Sequence, residues 1–136
     1  MTEEPLLTFE AQEPVTLGRI RAASVLDAMN VTRFGTELLA FVQQHPGVRL
    51  LLDFEEVDYL SSAVLTELLR IHKAVETSGG DFRLCSLNKD IMKVFEITNL
   101  DQLFVIYGDA RDAVKKFRRS LQIEAEDDAW GELNDE

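Results

Sequence analysis

Hydrophobic residues recur along this chain with two different spacings, and these spacings divide the sequence into short strands and longer helices. In 32–44 they fall three to four positions apart, at Phe34, Leu38, Phe41 and Val42, which is typical of an amphipathic helix. The run 48–54 is almost continuously apolar, as in a strand that is buried on both faces. Across the whole sequence the two patterns predict strands at 6–9, 15–20, 48–54, 81–86 and 103–107, and helices at 32–44, 61–77, 88–97 and 109–119.

The order of these elements predicts the fold class. Strands that alternate with helices indicate an α/β fold, here a mostly parallel mixed sheet of about five strands covered by about four helices. Thr32 is expected to cap the first helix, and Asp109 the last. Because the sequence contains no internal repeat and no sign of a second domain, we predict that 1–123 forms a single domain.

The end of the chain differs in composition from the rest. Segment 124–136 contains seven acidic residues and no basic one, which accounts for more than half of the net charge of −11. Trp130 is its one large side chain of apolar character, too little to support a core. We therefore predict a disordered acidic tail, with docking through Trp130 and Leu133 as the alternative.

Charge and composition exclude several kinds of partner. The strongly negative charge argues against nucleic acid and anionic membrane surfaces. No apolar run is long enough to span a bilayer, and the acidic N-terminus does not resemble a signal peptide. Cys85 is the single cysteine, so no disulfide can form within the chain. We predict a cytoplasmic protein that does not insert into membranes.

The sequence offers no convincing catalytic or metal-binding set. It lacks the glycine-rich loops of nucleotide-binding proteins, and His45, His72 and Cys85 do not make a metal set. His72 lies on the inward stripe of the second helix and is expected to be a core or boundary residue rather than a base or a ligand. We predict that the protein is not an enzyme, and that it needs no cofactor and no metal.

Acidic residues follow the buried strand of 48–54. Asp53 stands where that strand ends, and a turn-forming or capping role is expected for it. The neighbouring acids Glu55, Glu56 and Asp58 are expected to lie in a solvated loop rather than to form a pair of catalytic carboxylates.

Basic residues concentrate in the last predicted helix, at Lys115, Lys116, Arg118 and Arg119. If the helix ends near 119, they complement the negative end of its dipole. A binding patch for an acidic partner, or for the acidic tail, is the alternative.

Ser61 and Ser62 place two hydroxyl groups between the buried strand and the second helix. One interpretation is a helix cap, in which a serine oxygen accepts a hydrogen bond from a free backbone N–H. The other is an exposed hydroxyl that accepts a phosphoryl group, because a helix N-terminus stabilises the added negative charge. Both remain open from the residues alone.

The segment 50–106 closely resembles one known family in several places. The matching stretches, in order, are Leu50–Phe54, Val57–Leu65, Gly79–Cys85, Val94–Ile97, Leu100 and Leu103–Phe104. Together their order and spacing resemble the STAS domain, the family of anti-sigma factor antagonists and of sulfate transporter C-terminal domains. The resemblance implies a single STAS-like domain.

Phosphorylatable members of that family carry the loop Asp-Ser-(Ser/Thr)-Gly-Leu, in which the first serine is phosphorylated. In this chain Ser62 takes the position of that serine and Leu65 matches the leucine, while Ser61, Ala63 and Val64 depart from the pattern. The resemblance implies phosphorylation of Ser62, with Ser61 as the alternative.

The resemblance also implies a function. It predicts a non-enzymatic, partner-switching regulator of transcription that binds a serine kinase acting as an anti-sigma factor, with a phosphatase that reverses the modification. The partner would contact the loop and the start of the second helix, at Asp58, Tyr59, Ser61, Ser62, Ala63 and Thr66. The alternative is a STAS adaptor that works without phosphorylation, for example on the ATPase subunit of a lipid transporter.

Overall fold

The computed structural model describes residues 6–21 and 30–134, with side chains up to residue 122. In this part of the chain five strands form one sheet: β1 (Leu7–Gln12), β2 (Val15–Ile20), β3 (Arg49–Asp53), β4 (Asp81–Cys85) and β5 (Ile106–Tyr107). The helices are α1 (Val31–Gln44), α2 (Ser62–Thr77), α3 (Lys89–Ile97) and α4 (Ala110–Asn134), with a 3₁₀ turn at Leu100–Gln102.

The strands lie side by side in chain order. β1 and β2 form an antiparallel hairpin, and β2, β3, β4 and β5 are parallel neighbours. This mixed, mostly parallel sheet with four helices confirms the predicted α/β fold class.

Strand β3 is buried on both faces of the sheet, as its apolar run predicted. Leu50 and Leu52 belong to the larger core, which also holds the buried residues of α1, α2 and α3. Leu51 points to the other face, where it shares a smaller core with Phe117 of α4 and with Cys85. The alternation follows from strand geometry, in which successive side chains point to opposite faces.

A buried arginine joins the smaller core to the edge of the sheet. The Arg83 guanidinium donates two hydrogen bonds to the Asp81 carboxylate, at 3.2 and 2.8 Å. It also donates to Tyr107 Oη at 2.8 Å and to Ser120 Oγ at 2.7 Å, and it lies 4.3 Å from the Phe117 ring centroid. Burial alone would lower the Arg83 pKa, but the hydrogen bonds to Asp81 and Tyr107 outweigh it and raise the pKa. Arg83 therefore stays charged and connects β4, β5 and α4.

The last strand is shorter than predicted. The segment 103–107 was expected to be a strand, but only Ile106–Tyr107 pairs with β4. The 3₁₀ turn before it directs Phe104 into the core, where its ring packs edge-on against Phe82 and against His72. Since Phe104 is held by these rings rather than by a neighbouring strand, the backbone joins the sheet only afterwards.

Two helix starts tested the predicted caps. Asp109 caps α4 as expected, because its carboxylate accepts a hydrogen bond of 2.8 Å from the Asp112 N–H. The prediction for Thr32 was wrong: α1 begins at Val31, and Asn30 occupies the capping position. Val31 is buried, and the helix begins at this residue, one position nearer to the N-terminus than predicted. The segment 21–30 was expected to lead into α1, and residues 22–29 lie outside the described residues.

Helix α4 continues to Asn134, whereas the sequence predicted an end at 119 followed by a disordered tail. Leu, Gln, Glu and Ala, all strong helix formers, are frequent from 120 onward, so backbone propensity extends the helix without a need for packing. The basic cluster that begins at Lys115 therefore lies in the first half of the helix. The expected match to the negative end of the dipole was wrong for that reason.

Replacing Leu51 or Leu68 by Ala should test the two-sided core. Both side chains are fully buried, on opposite faces of the sheet, so each variant should lose about 2–5 kcal/mol of unfolding free energy through lost burial and the cavity left behind. Leu69→Ala is the matched control, because Leu69 is 40% exposed and should cost far less. Urea denaturation gives the three values, and equal midpoints for all three would contradict the assignment.

Truncation after Ile123 should test whether the acidic segment contributes to the fold. Because 124–136 carries no pattern that predicts packing against the domain, we expect the melting temperature to fall by less than about 4 °C, the shift that corresponds to about 1 kcal/mol. Calorimetry of the full and the truncated chain measures it. A larger loss would indicate docking, and Trp130→Ala in the full chain would then reproduce it.

Candidate partner-binding site

The loop that follows β3 is shaped by the side chain that ends the strand. Asp53 is 2% exposed, and its carboxylate accepts a hydrogen bond of 3.0 Å from the backbone N–H of Glu55. The Arg19 Nε lies 3.6 Å from the same carboxylate and compensates its charge. Asp53 therefore forms the turn that was predicted for it. Glu55 and Glu56 are exposed beyond it, as expected for a solvated loop.

A buried valine and a turn hold the middle of the loop. The Val57 N–H donates to the Phe54 carbonyl at 2.9 Å, and the Val57 side chain is buried in the larger core. Asp58 and Tyr59 follow on the surface, with Tyr59 54% exposed. The anchored valine thus fixes the position of the two exposed residues that precede the serine pair.

The two serines differ in accessibility. Ser62 is the first residue of α2 and is exposed. Ser61 occupies the capping position in an extended conformation, yet its side chain makes no capping hydrogen bond. Among the described side chains, its Oγ is buried and has no hydrogen-bond partner. The capping interpretation of the pair is therefore wrong for Ser61, and Ser62 presents the accessible hydroxyl.

The exposed face of α2 continues the surface of the loop. Ala63 is exposed beside Ser62, and Thr66 follows one turn later. Val64, at the position of the family glycine, is fully buried in the larger core. Of the six residues predicted to contact a partner, five are exposed and Ser61 is half-buried. The structure brings them together along one loop and the first turns of one helix.

Helix α3 is fastened to this loop by one side chain that the sequence analysis did not single out. Asn88 Oδ1 accepts a hydrogen bond of 2.9 Å from the Ile91 N–H and caps α3. Its Nδ2 donates to the backbone carbonyls of Val57, at 3.3 Å, and Asp58, at 2.9 Å. An Asn at the start of a predicted helix suggests a cap, but no sequence pattern reveals the contact across 30 residues.

An apolar patch lies where α3 meets the loop. Tyr59, Leu60, Ile91 and Val94 line a shallow cavity of about 70 Å³, with Asp90 at its rim. The helical spacing of Ile91, Val94 and Phe95 predicts that all three face the core, but Val94 is 37% exposed. Ile97, one turn further along α3, is 71% exposed. Within α3 only Ile91 and Phe95 are buried, so the core covers a narrower face of the helix than the spacing predicts. Exposed apolar side chains beside polar ones are typical of protein interfaces.

Other candidate groups lie away from this surface. His45 is exposed and stacks on Phe41, and His72 packs at the edge of the core. Within 6–21 and 30–134, no group of His, Cys, Asp and Glu is placed to hold a metal ion. No helix in the described part of the chain has the length and apolar character needed to cross a bilayer.

Comparison with known proteins decides the family. The sequence profile of the STAS domain matches residues 8–113, most of the chain. This protein belongs to the STAS domain family. The STAS fold is also found in a solved anti-sigma-factor antagonist domain from Planctomyces limnophilus, which superposes with a TM-score of 0.75 at 23% identity, covering 82% of this chain and 97% of that one.

Two curated relatives have similar sequences. BtrV of Bordetella bronchiseptica, described as an anti-sigma factor antagonist, is 30% identical over 97 residues, which cover 71% of this chain and 83% of BtrV. A Thermotoga maritima protein with the same description is 36% identical over 70 residues, which cover 52% of this STAS chain and 59% of the relative. The match thus spans somewhat more than half of the length of the Thermotoga protein.

Two substitutions of Asn88 should separate its two contacts. Asn88→Ala removes the cap and the tether and should cost about 1–2 kcal/mol of unfolding free energy. Asn88→Asp keeps an oxygen that accepts from Ile91 but has no amide N–H for the loop carbonyls. By hydrogen exchange, both variants should lose amide protection in the loop after Val57, and Ile91 should lose protection in the alanine variant alone. Unchanged loop protection in both would contradict the tether.

Proposed function

We propose that this STAS protein is a cytoplasmic, non-enzymatic partner-switching regulator of the anti-sigma factor antagonist kind, controlled by phosphorylation of Ser62. The partner is a serine kinase that also acts as an anti-sigma factor, and a phosphatase restores the unmodified form. The observation that carries the proposal is the exposed hydroxyl of Ser62 at the first residue of α2, beside an apolar patch.

The accessibility of the two hydroxyls favours Ser62 over Ser61. A kinase must bring the acceptor oxygen into its own active site, so the oxygen has to be exposed. Ser62 meets this requirement, whereas Ser61 Oγ is buried and would need the start of α2 to open first. This supports Ser62 as the phosphorylated residue, even though Ser61 replaces the family aspartate next to it.

The surface around Ser62 has the chemistry of a protein interface. Tyr59 and Val94 supply exposed apolar area, and the exposed positions Asp58, Ala63 and Thr66 surround the serine pair along the chain. We propose that the partner covers the loop, the first turns of α2 and the exposed side of α3 together. Asn88 holds these elements in one arrangement before binding, which lowers the entropy lost on association.

Phosphorylation would weaken binding through charge rather than through refolding. A phosphate adds about −1.5 to −2 charges at neutral pH. Within the chain, the N-terminus of α2 stabilises an anion, so the fold should persist. At the interface the same anion has to lose its hydration beside a loop that already carries Glu55 and Asp58. The unmodified protein would therefore bind the kinase and release a sigma factor.

The alternative function is a STAS adaptor that works without phosphorylation, for instance on a transporter ATPase. The observation in its favour is that the serine loop departs from the phosphorylatable pattern at Ser61, Ala63 and Val64. The buried Val64 side chain fixes the first turn of α2 in the core, where the family glycine has no side chain. An adaptor would use the same surface but would not respond to the charge of residue 62.

Partner affinity of three forms should decide between these functions. With the partner co-purified from the protein's own cells, Ser62→Ala should bind like the unmodified protein. Ser62→Asp should bind at least about tenfold more weakly, since 1.4 kcal/mol corresponds to a factor of ten. Calorimetry gives the affinities, and melting temperatures should be equal because residue 62 is exposed.

Ser61→Ala is the matched control for this experiment. It should remain a substrate for phosphate transfer from ATP, whereas Ser62→Ala should not. Loss of labelling in Ser61→Ala alone would show that Ser61, not Ser62, is the phosphorylated residue. Equal partner affinity for all forms, with no labelling of any, would contradict the switch and favour the adaptor.

A further inference from the structure

A second surface feature lies on the opposite side of the sheet from α1 and α2. The β1–β2 hairpin and the first half of α4 enclose a groove of about 410 Å³. Its floor is apolar and consists of Leu17, Ala110 and Val114. Four basic residues line it, namely Arg19, Arg111, Lys115 and Arg118, against a single acid, Glu10. We call this feature the basic groove.

Two of the four cations are held in place by the protein itself. The Arg118 Nε donates to the backbone carbonyls of Gln12 and Glu13, each at 3.1 Å, so that α4 is tied to the hairpin turn. Backbone carbonyls fix the guanidinium but do not cancel its charge. Arg19 lies near Glu10, at 3.8 Å, and near Asp53, at 3.6 Å. These contacts order two walls of the basic groove before any ligand arrives.

The other two cations have no partner within the described part of the chain. Arg111 and Lys115 are exposed and stand one turn apart on α4, with neither hydrogen bond nor ion pair to a described residue. Lys116, the next residue, differs: its Nζ lies 2.9 Å from the Asp112 carboxylate. The basic groove therefore concentrates uncompensated positive charge in a protein whose net charge is −11.

We propose that the basic groove binds a small organic phosphate. Arg111 and Lys115 would pair with the phosphate oxygens, the ordered Arg118 guanidinium would supply further N–H donors, and the apolar floor would receive the carbon portion. Guanidinium groups match phosphate in geometry and bind it through two hydrogen bonds at once. Arg111, Lys115 and Arg118 pair with no described acid and stand around one cavity, an arrangement that suits a compact anion better than an extended acidic peptide.

The acidic segment of the same chain is not the occupant. Helix α4 continues without a break to Asn134, and Glu124 lies six residues beyond Arg118 on that helix, roughly 9 Å along the axis. As long as the helix persists, the acidic positions between 124 and 134 cannot turn back into the basic groove. The helical part of that segment therefore does not compensate Arg111 and Lys115, and the basic groove stays open to an external anion.

Calorimetric titration of the full chain with phenyl phosphate in 0.15 M NaCl tests the proposal. We expect saturable binding of one equivalent. Lys115→Ala and Arg111→Ala should each weaken it about tenfold, the effect of one lost charge-assisted hydrogen bond. Lys116→Ala is the matched control and should stay within about twofold, because Lys116 pairs with Asp112 instead. Melting temperatures should not differ, since the changed side chains are exposed.

Four outcomes would overturn the proposal. They are the absence of binding, an equal loss in Lys116→Ala and Lys115→Ala, binding of inorganic phosphate as tightly as phenyl phosphate, and binding of a 124–136 peptide in place of phenyl phosphate. The third would show that the apolar floor contributes nothing. A normal titration with Ser62→Asp would show that the basic groove acts separately from the partner-binding site.

Discussion

Burial of strand β3 on both of its faces is the constraint on which the rest of this structure depends. Leu50 and Leu52 need the helices on one side, and Leu51 needs α4 on the other, so neither layer can be removed without exposing the centre of the sheet. The apolar strand therefore extends only as far as the helices cover both of its faces. Asp53 turns the chain at that point, and the loop that presents Ser62 begins there.

The two layers leave two surfaces of different chemistry. On the side of the larger core, the loop after β3 and helix α3 expose apolar side chains such as Tyr59 and Val94 among acids, a combination suited to a protein partner. On the α4 side, the basic groove exposes Arg111 and Lys115, which pair with no described residue, around an apolar floor. The two proposals therefore assign different ligands to different sides of one sheet: a protein partner on the side of the larger core and a small anion on the α4 side.

The sequence predicts those strands and helices whose buried residues stand at regular positions along the chain. β3 and β4 are buried along most of their length, and α2 buries a regular stripe of apolar residues, so the sequence pattern indicates all three elements. The exposed side of α3 could not be predicted, since Val94 and Ile97 have the composition of core residues and only the arrangement of neighbours decides their exposure. The sequence also could not predict that the Ser61 side chain makes no capping hydrogen bond, or that Asn88 binds the loop, because both depend on the positions of atoms far apart in the chain. The length of α4 was missed because we interpreted 124–136 by its acidic charge, although many of its residues favour a helix.

The smaller core also determines the redox chemistry of the chain. Cys85 is the only cysteine, and it is fully buried beneath α4. Burial, assisted by the negative charge of Asp53, raises the pKa of its thiol to about 12, so the reactive thiolate is scarce at neutral pH. Alkylating reagents and oxidants therefore meet no accessible thiol unless the domain unfolds. Because the native thiol does not react with labelling reagents, a single cysteine introduced at an exposed position can be labelled selectively with a fluorophore or spin label.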